Sequence, residues 1–522
     1  MSSHGTVMSL NAERVQAVDP GFDELVAAVR AVRPRLVDAW EATAVIESLG
    51  YTDARVQQEF GFSDTRAAGE YLYPMCRGPV GPSERWAPTA EPAVAIFTRA
   101  AASTLIYAVP WLSVFVAQIL RPEAMQAPMR VAPALALALM FSLIVSGGFV
   151  QAIVRRGEFY IGMRQPGMAR LVVEALLRFG IATTVVFGLG GLFVGWYFEL
   201  FAWPALILGA DAFVLMSVLW MVCGIFAIRQ QHWRVAIALF AGFITFAGLR
   251  SAGGDVIMSQ LTAAVTVLAA GLLQVRYVFG GAGSAATLPR HIKLPRLSVL
   301  VYWTVPYFWY GVLYFAFLFA DRLAAGTAAA AVPNAPFSIP AAYNLGMELA
   351  LLTLLVAASG VEVGGALFGR GFRAEALRPF VRDGATFAAA LQRHHRRAMA
   401  LTLGTFVVIA VAIAALAQRA LPEIRMPEAW STLIAGDLGY ACLALGLLNA
   451  LVLLEMRRVW AVVHELTTAL LINLAGGYVL SHAFGSFHAV DGLLLGAGYF
   501  VVSSTITVQQ TLKRSDYAYA LG

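Results

Sequence analysis

The sequence predicts an all-α polytopic membrane protein. About twelve transmembrane helices form two six-helix pseudo-repeats, preceded by a small cytoplasmic helical module. Three observations predict this class: few charges, twelve apolar stretches of spanning length, and basic residues that alternate between the two sides. Of the 522 residues, 59% are hydrophobic and 13% are charged, and the mean hydropathy is +0.71. Soluble domains carry about 25% charged residues, so lipid must cover most of this chain.

The net charge of +6 is unevenly distributed along the chain. Residues 1–97 contain 13 acidic residues and 8 arginines, a balance of −5, so the remainder carries +11. Those bases lie between apolar stretches and not on one soluble face, which favours charges that set membrane topology over nucleic-acid binding. The three cysteines, Cys76, Cys223 and Cys442, form no C-x-x-C pair. Neither a zinc site nor a disulfide framework is therefore predicted, and no cofactor is expected.

The N-terminal part of the chain is predicted to precede the membrane region. Residues 1–20 are typical of a disordered lead without a signal peptide, and residues 21–75 are typical of a small cytoplasmic helical module. Thr52 and Ser63 are predicted to cap two of its short helices. Five prolines between residues 74 and 92 indicate a linker, assigned to 76–95.

Twelve apolar segments follow, each near the roughly 20 residues that a helix needs to cross the hydrocarbon. They lie at about 96–120, 131–154, 172–198, 203–228, 234–253, 256–279, 298–322, 339–368, 398–420, 431–456, 459–481 and 489–511. The first six form transmembrane half 1, residues 96–280. A cytoplasmic linker at 281–297 leads to transmembrane half 2, residues 298–515.

The orientation follows from the basic residues of the loops. If the N-terminus lies inside, the inner loops and the C-terminal tail hold 21 arginines and lysines, and the outer loops hold six. Arg322, at the outer end of the seventh segment, is one of those six. This alternation predicts that both termini are cytoplasmic and that the protein lies in a bacterial cytoplasmic membrane, which it crosses many times.

A weak internal repeat relates the two halves. The first segment contains Tyr107-x-x-Pro-Trp111 and the seventh contains Trp303-x-x-Pro-Tyr307, each with a proline that kinks the helix. Six helices is an even number, so the two halves would share one orientation, with a cavity between them. The alternative is a coincidence among helices rich in Gly, Leu and Ala.

One face of the seventh segment is aromatic. Side chains spaced by three or four residues share a helix face, and here they are Trp303, Tyr307, Tyr310, Tyr314, Phe317 and Asp321. Indole and phenol rings can stack on sugar rings and form hydrogen bonds through their polar ends. The stripe, with Tyr107 and Trp111 of the first segment, is therefore a candidate substrate path. Ordinary helix packing is the alternative.

Acidic residues inside the spans are candidates for ion coupling. An ionised side chain at the centre of a bilayer costs about 2.5–3.5 kcal/mol on insertion scales and usually faces the bundle interior. Asp211, Glu348 and Glu362 are the candidates for a cation-coupled or proton-coupled site, and Glu348 and Glu362 share one helix face. Hydrogen bonding between helices is the alternative for each.

Further polar residues predict lipid and helix contacts. His394 and His395 lie among three arginines in a segment predicted to be an interfacial basic helix, with Leu391 inward, in contact with anionic lipid headgroups. Asn449 and Asn473 are predicted to form hydrogen bonds between helices.

No soluble catalytic apparatus is recognisable, and the protein is not expected to be an enzyme. The sequence contains no Walker loop, no G-x-S-x-G and no H-E-x-x-H motif, and the outer loops are short. No catalytic residues and no metal ligands are assigned. A membrane-embedded glycosyltransferase or polymerase remains an alternative class.

The seventh segment resembles a known family. Residues 305–311 (VPYFWYG), 314–315 (YF) and 319–323 (FADRL) are similar to the Pel exopolysaccharide flippase subunit, a member of the multidrug/oligosaccharidyl-lipid/polysaccharide (MOP) flippase superfamily. The positions that match the pattern are Tyr307, Tyr310, Asp321 and Arg322. The resemblance covers about 20 residues and assigns no role to any of them. The module at residues 1–92 departs from the minimal fold of that family.

The resemblance implies a V-shaped α-helical transporter that moves polysaccharide or lipid-linked glycan outward. A cation-coupled small-molecule antiporter of the same fold is the second alternative to export, beside the glycosyltransferase. The expected partners are membrane lipids, the glycan, and a cytoplasmic glycosyltransferase that docks on residues 21–75. No nucleic-acid partner is expected.

Overall fold

The computed structural model describes most of the chain as helices. The described residues are 20–32, 36, 38–76, 92, 94–103, 105–106, 131–163, 165–279, 297–329, 337–376 and 384–513. The chain divides into two compact units, Met1–Glu91 and Pro92–Gly522.

The first unit is a four-helix module with its own core. Its helices are α1 (Pro20–Val32), α2 (Ala39–Ser48), α3 (Asp53–Phe60) and α4 (Thr65–Cys76). The side chains fully buried at their centre are Val29, Ile46, Val56 and Leu72. The module therefore has a hydrophobic core built from its own residues alone.

Helix caps in the module test the sequence predictions. The Thr52 hydroxyl accepts a hydrogen bond from the Arg55 amide at 3.4 Å, so the predicted cap of α3 is confirmed. The predicted cap at Ser63 is wrong. Asp64 takes that role, because its carboxylate accepts from the Ala67 amide at 2.7 Å and is the stronger acceptor at a helix N-terminus.

The second unit contains eleven helices that are long and apolar enough to cross a membrane, counted over the residues that the structure describes. A shorter apolar helix, α5 (Val94–Ser103), precedes them. The eleven are α6 (Ala132–Gly162), α7 (Pro166–Tyr197), α8 (Trp203–Ala227), α9 (His232–Ser251), α10 (Val256–Phe279), α11 (Leu297–Ala328), α12 (Ala341–Ala376), α13 (Gly384–Ala420), α14 (Pro427–Glu455), α15 (Val459–Phe484) and α16 (Ala489–Lys513).

These helices match the second to twelfth predicted segments, and the all-helical membrane fold is confirmed. Most of the first predicted segment, 96–120, lies outside the described residues. Several helices extend beyond the apolar stretch, most of all α13, which begins at Gly384 and not at residue 398. The polar residues before 398 still follow helical periodicity, with Leu391 and Ala398 buried on one side.

The same helix pairings recur in both halves. In the first half α6 packs against α7 and α8, and α10 packs against α8 and α9. In the second half α12 packs against α13 and α14, and α16 packs against α14 and α15. The partners of α12 and α16 are thus equivalent to those of α6 and α10, the helices six places earlier, which is the relation that a parallel duplication predicts.

The two halves meet where α6 crosses α11. Gly147 and Gly311 bring the two backbones together, because a Cβ on Gly311 would overlap the carbonyl group of Gly147. Towards the predicted cytoplasmic ends, the Arg156 guanidinium donates to the Trp303 carbonyl at 2.5 Å. Two glycines at mid-length and a hydrogen bond from Arg156 to a backbone carbonyl near one end therefore hold these helices in contact.

Topology can be tested on these boundaries. Reporter fusions after Gly162, Gly253 and Arg457 should read inside, outside and inside, because basic residues cluster beside the first and third sites. Paired phosphatase and fluorescent-protein activities report the side. An outside signal after Gly162 would contradict the twelve-span arrangement.

Candidate functional site

A charged pair lies at the centre of the second half. Asp321 and Arg322 are adjacent on α11 and are 0% and 1% exposed. The sequence placed Arg322 at the outer end of the seventh span and counted it with the outer loop. That placement is wrong, since α11 continues to Ala328 and Arg322 is enclosed by other helices. The loops predicted to lie outside would then hold five bases and not six.

The Arg322 guanidinium connects three helices. One terminal nitrogen donates to the Leu318 carbonyl at 3.0 Å and to the Tyr440 hydroxyl at 3.2 Å. The other donates to the Met347 carbonyl at 3.1 Å. α11, α12 and α14 are thereby joined through one side chain, whose planar fork suits several acceptors at once.

The Asp321 carboxylate is only partly satisfied. Its Oδ2 accepts a hydrogen bond from the Tyr343 hydroxyl at 2.8 Å. Its Oδ1 lies 3.8 Å from the Arg322 guanidinium and is a buried atom without a hydrogen-bond partner among the described residues. The charge of Asp321 is therefore balanced by its neighbour, while one oxygen remains available.

Two further carboxylates surround this pair. Glu348 accepts from the Asn344 amide at 2.6 Å, and its carboxylate also interacts electrostatically with Arg322. Asp437, one turn before Tyr440 on α14, interacts electrostatically with that tyrosine, and its buried Oδ1 has no hydrogen-bond partner in the described region. We call these five side chains, Asp321, Arg322, Glu348, Asp437 and Tyr440, the polar network of the second half.

The network contains three carboxylates and one guanidinium. Full ionisation would leave two negative charges in excess inside a helix bundle, where an uncompensated charge is costly. A proton or a cation could therefore bind there. Within the described ranges, no three carboxylate, imidazole or thiol side chains are close enough together to hold one metal ion.

The predicted ion-coupling residues do not come together. Glu348 belongs to the polar network. Asp211 is exposed on α8, and Glu362 is exposed on α12, where the positive charge of Arg99 in α5 acts on it. Glu348 and Glu362 share a helix but have different surroundings, so one helix face does not mean one site.

The aromatic stripe of α11 is divided between exposed and buried rings. Trp303 is 53% exposed, whereas Tyr310 is 8% exposed. Tyr307 and Tyr314 are half-buried, and the Tyr310 and Tyr314 rings stack with their centroids 6.5 Å apart. Phe317, the next member, is fully buried. The stripe thus runs from an exposed end into the polar network.

The α6–α11 contact lies beside the tyrosines. The ring centroids of Tyr314 and Phe315 are 5.0 Å apart, and Phe315 packs against Gly147 of α6. The half-buried tyrosines therefore border the interface between the two halves. Their predicted partners in the first segment, Tyr107 and Trp111, lie outside the described residues.

Sequence reasoning missed Asp437, Tyr440 and Tyr343. Asp437 could have been found, because an acid inside an apolar segment is itself a signal. The two tyrosines could not, since a tyrosine in an apolar helix is common and only the packing brings both hydroxyls to the Asp321–Arg322 pair.

A second polar cluster confirms the predictions for the asparagines. Asn449 on α14 interacts with His395 at 2.8 Å and donates to the hydroxyls of Ser504 and Thr505 at 2.9 Å each. Asn473 on α15 donates to the Phe317 carbonyl of α11 at 3.1 Å. Both asparagines connect helices, as predicted.

Known proteins resemble this chain in structure but not in sequence. No family model matches the chain, and no curated protein is similar to it in sequence. Among solved structures, a variant of the MATE transporter VcmN from Vibrio cholerae matches with a TM-score of 0.57 and 12% identity. That match covers 82% of this chain and 99% of that one.

Two further MATE structures match in the same way. An outward-facing multidrug resistance MATE transporter of the MOP superfamily has a TM-score of 0.53 at 12% identity, over 81% of this chain and 96% of its own. A MATE protein in the straight conformation has a TM-score of 0.53 at 13% identity, over 80% of this chain and 96% of its own. The second unit of this chain therefore has the fold of MATE transporters.

Proposed function

We propose that the protein exports or flips a polysaccharide or a lipid-linked glycan across the cytoplasmic membrane. The observation that carries this proposal is the position of the α11 segment that resembles the Pel flippase subunit. Its half-buried Tyr307 and Tyr314 border the contact between the two halves, and its Asp321 and Arg322 anchor it inside the second half. A transport path between two halves would pass these rings.

The chemistry of this face suits a sugar polymer. Phenol rings offer stacking surface and a hydroxyl without a full charge, so each sugar unit binds weakly and can be released to the next position. The full charges of α11 lie deeper, where Arg322 is surrounded by carbonyl, hydroxyl and carboxylate oxygens. The MATE fold, built from two halves, provides the architecture for alternating exposure of such a face.

Substitution of the stacked tyrosines tests the proposal. Tyr314→Ala should reduce glycan export by roughly tenfold at unchanged membrane level, because we expect the loss of a stacking ring to cost a sugar unit about 1–3 kcal/mol, the range for a nucleobase stacked on an aromatic side chain. Tyr314→Phe should be milder, since the ring remains. Export is measured as extracellular glycan per amount of membrane-inserted protein.

Tyr302 provides a matched control on the same helix. It is 72% exposed and lies off the stripe, so Tyr302→Ala should leave export near the native level. Cysteine at position 314 should react with a water-soluble thiol reagent, whereas cysteine at the buried Leu318 should not. Equal export by the Tyr314→Ala and Tyr302→Ala variants would show that the stripe only packs.

A cation-coupled antiporter is the second candidate. The observation that favours it is the pair of buried carboxylate oxygens without partners, on Asp321 and Asp437, in a network with excess negative charge. A proton or a monovalent cation bound there would balance the charge. Asp437→Asn should then abolish cation-dependent dye efflux, whereas under the glycan proposal no such efflux exists in the native protein.

We further propose that residues 21–75 dock a cytoplasmic glycosyltransferase. The module has a net negative charge, a core of its own and an exposed Trp40, 64% accessible, over which the Arg66 guanidinium lies at 4.6 Å. An exposed indole beside a guanidinium is typical of protein-binding surfaces.

Deletion of residues 1–85 tests this role. The remaining chain should insert and elute as a single species in detergent, because the module's buried side chains pack against one another. Glycan output should fall while the purified protein remains active in liposomes. Aggregation of the truncated protein would show that the module is required for folding.

A further inference from the structure

A small polar cavity lies between α13 and α16, outside the polar network of the second half. Its volume is about 150 Å³. The side chains that line it are Gln392, His395, Arg396, Gln509 and Lys513. Those from α13 precede residue 398, where the ninth apolar segment begins, and those from α16 lie at the end of the twelfth. All five therefore lie at headgroup depth and not in the hydrocarbon.

The floor of the cavity is fixed by hydrogen bonds. The Ser504 and Thr505 hydroxyls donate to the Val501 carbonyl, so they accept from the Asn449 amide nitrogen. The Asn449 oxygen then faces His395, whose Nε2 must donate to it at 2.8 Å. His395 is thus held in one orientation, which leaves Nδ1 for another partner.

The mouth of the cavity carries positive charge. Arg396 and Lys513 are both exposed, and no carboxylate in the described part of the chain lies within ion-pair distance of either. Their neighbour His394 differs, because it lies 3.7 Å from the Glu375 carboxylate. Two cations and two amides around one cavity form a set rich in donors, which suits the oxygens of a phosphate group.

An apolar surface continues from the cavity towards the membrane interior. Leu403 and Val407 on α13 are 42% and 49% exposed, and Val502 and Ile506 on α16 are 60% and 51% exposed. Helical spacing places these residues below the lining residues of their own helices. A ligand with a phosphate head and acyl chains would contact both surfaces, whereas inorganic phosphate would contact only the first.

We propose that this cavity binds the phosphate of an anionic phospholipid from the leaflet at that end of α13 and α16. Arg396 and Lys513 contact the phosphate, Gln392 and Gln509 donate from the sides, and the acyl chains lie along the exposed aliphatic side chains. Basic pockets between transmembrane helices are known to take such headgroups. The site is independent of the glycan path, so either proposal can fail alone.

Native mass spectrometry of the full chain in detergent tests the site with defined lipids. The protein is purified with added phosphatidylglycerol, with phosphatidylcholine, or with inorganic phosphate alone. The native chain should retain phosphatidylglycerol, and the double variant Arg396→Gln/Lys513→Gln should lose it by at least about tenfold, as expected for the loss of one charge-assisted hydrogen bond. The control Arg393→Gln/Arg397→Gln removes the same charge from exposed positions outside the cavity.

The outcomes separate the sources of phosphate. Selective loss in the Arg396/Lys513 variant supports the lipid site. If inorganic phosphate displaces the lipid and raises the melting temperature of the native protein but not of the Arg396/Lys513 variant, the site binds phosphate from solution and the lipid proposal is wrong. Equal retention by both double variants overturns the proposal. If the first double variant fails to fold, Gln509→Glu, which adds a carboxylate at an exposed position, should lose the lipid, and undiminished retention would likewise overturn it.

Discussion

Replacement of Arg322 by Met should destabilise the protein by about 3–5 kcal/mol, the range for breaking a buried ion pair from one side. The guanidinium donates hydrogen bonds to the Met347 carbonyl and the Tyr440 hydroxyl, and among the described residues it is the only base next to the Asp321 carboxylate. Methionine has similar length but no charge, so Asp321 would remain buried beside two further acids. Thermal unfolding in detergent, followed by size-exclusion chromatography, measures the loss.

Two controls separate charge from volume. Arg419→Met changes the same residue type at an exposed position of α13 and should shift the unfolding midpoint little. The double variant Asp321→Asn/Arg322→Gln removes both charges and should recover at least half of the loss, since no unpaired ion remains. An Arg322→Met protein as stable as the Arg419→Met protein would contradict the described network.

Gly311→Ala should weaken the α6–α11 contact by about 1–3 kcal/mol, the usual cost of overpacking a close contact. The new methyl group would overlap the Gly147 carbonyl, which is backbone and has no rotamer that relieves the clash. Because this contact joins the two halves, the variant should favour conformations in which α6 and α11 are separated. Cross-linking yield between cysteines at positions 143 and 315 reports the change.

Gly404 provides the matched control for this substitution. It lies in α13, where an added Cβ would meet no atom within 4 Å, so Gly404→Ala should be neutral or slightly stabilising, as alanine is the better helix former. Unchanged stability and cross-linking in Gly311→Ala would show that α6 and α11 do not depend on glycine for their approach.

The sequence predicted the membrane helices well because spanning helices are governed by a local property. Every spanning helix needs about 20 apolar residues, wherever it lies in the chain. Eleven of the predicted segments coincide with helices of the structure. Polar ends were less predictable. α13 begins at Gly384 because its amphipathic periodicity continues beyond the apolar stretch. Arg322 can lie inside the bundle because buried carbonyl and hydroxyl oxygens accept the hydrogen bonds that water would otherwise accept.

The candidate site was only partly predictable. Asp321, Arg322 and Glu348 were identified as polar residues in or near apolar segments, and the structure brings them together with Tyr440. Asp211 could not be distinguished from them by sequence, because tertiary packing decides whether a side chain faces a neighbouring helix or the surface of the bundle. The same holds for His395, which was expected to contact lipid headgroups directly and is instead buried, with its ring against Asn449.

Glycan export by this protein can be measured as movement of a lipid-linked oligosaccharide across the membrane of proteoliposomes. The full chain is reconstituted with a fluorescent lipid-linked glycan, and the fraction that reaches the outer leaflet is measured with a membrane-impermeant quencher or lectin. We expect faster movement with the native protein than in empty liposomes, slower movement with Tyr314→Ala, and native movement with Tyr302→Ala. Absence of glycan movement in liposomes that show cation-dependent efflux of a small organic dye would contradict it.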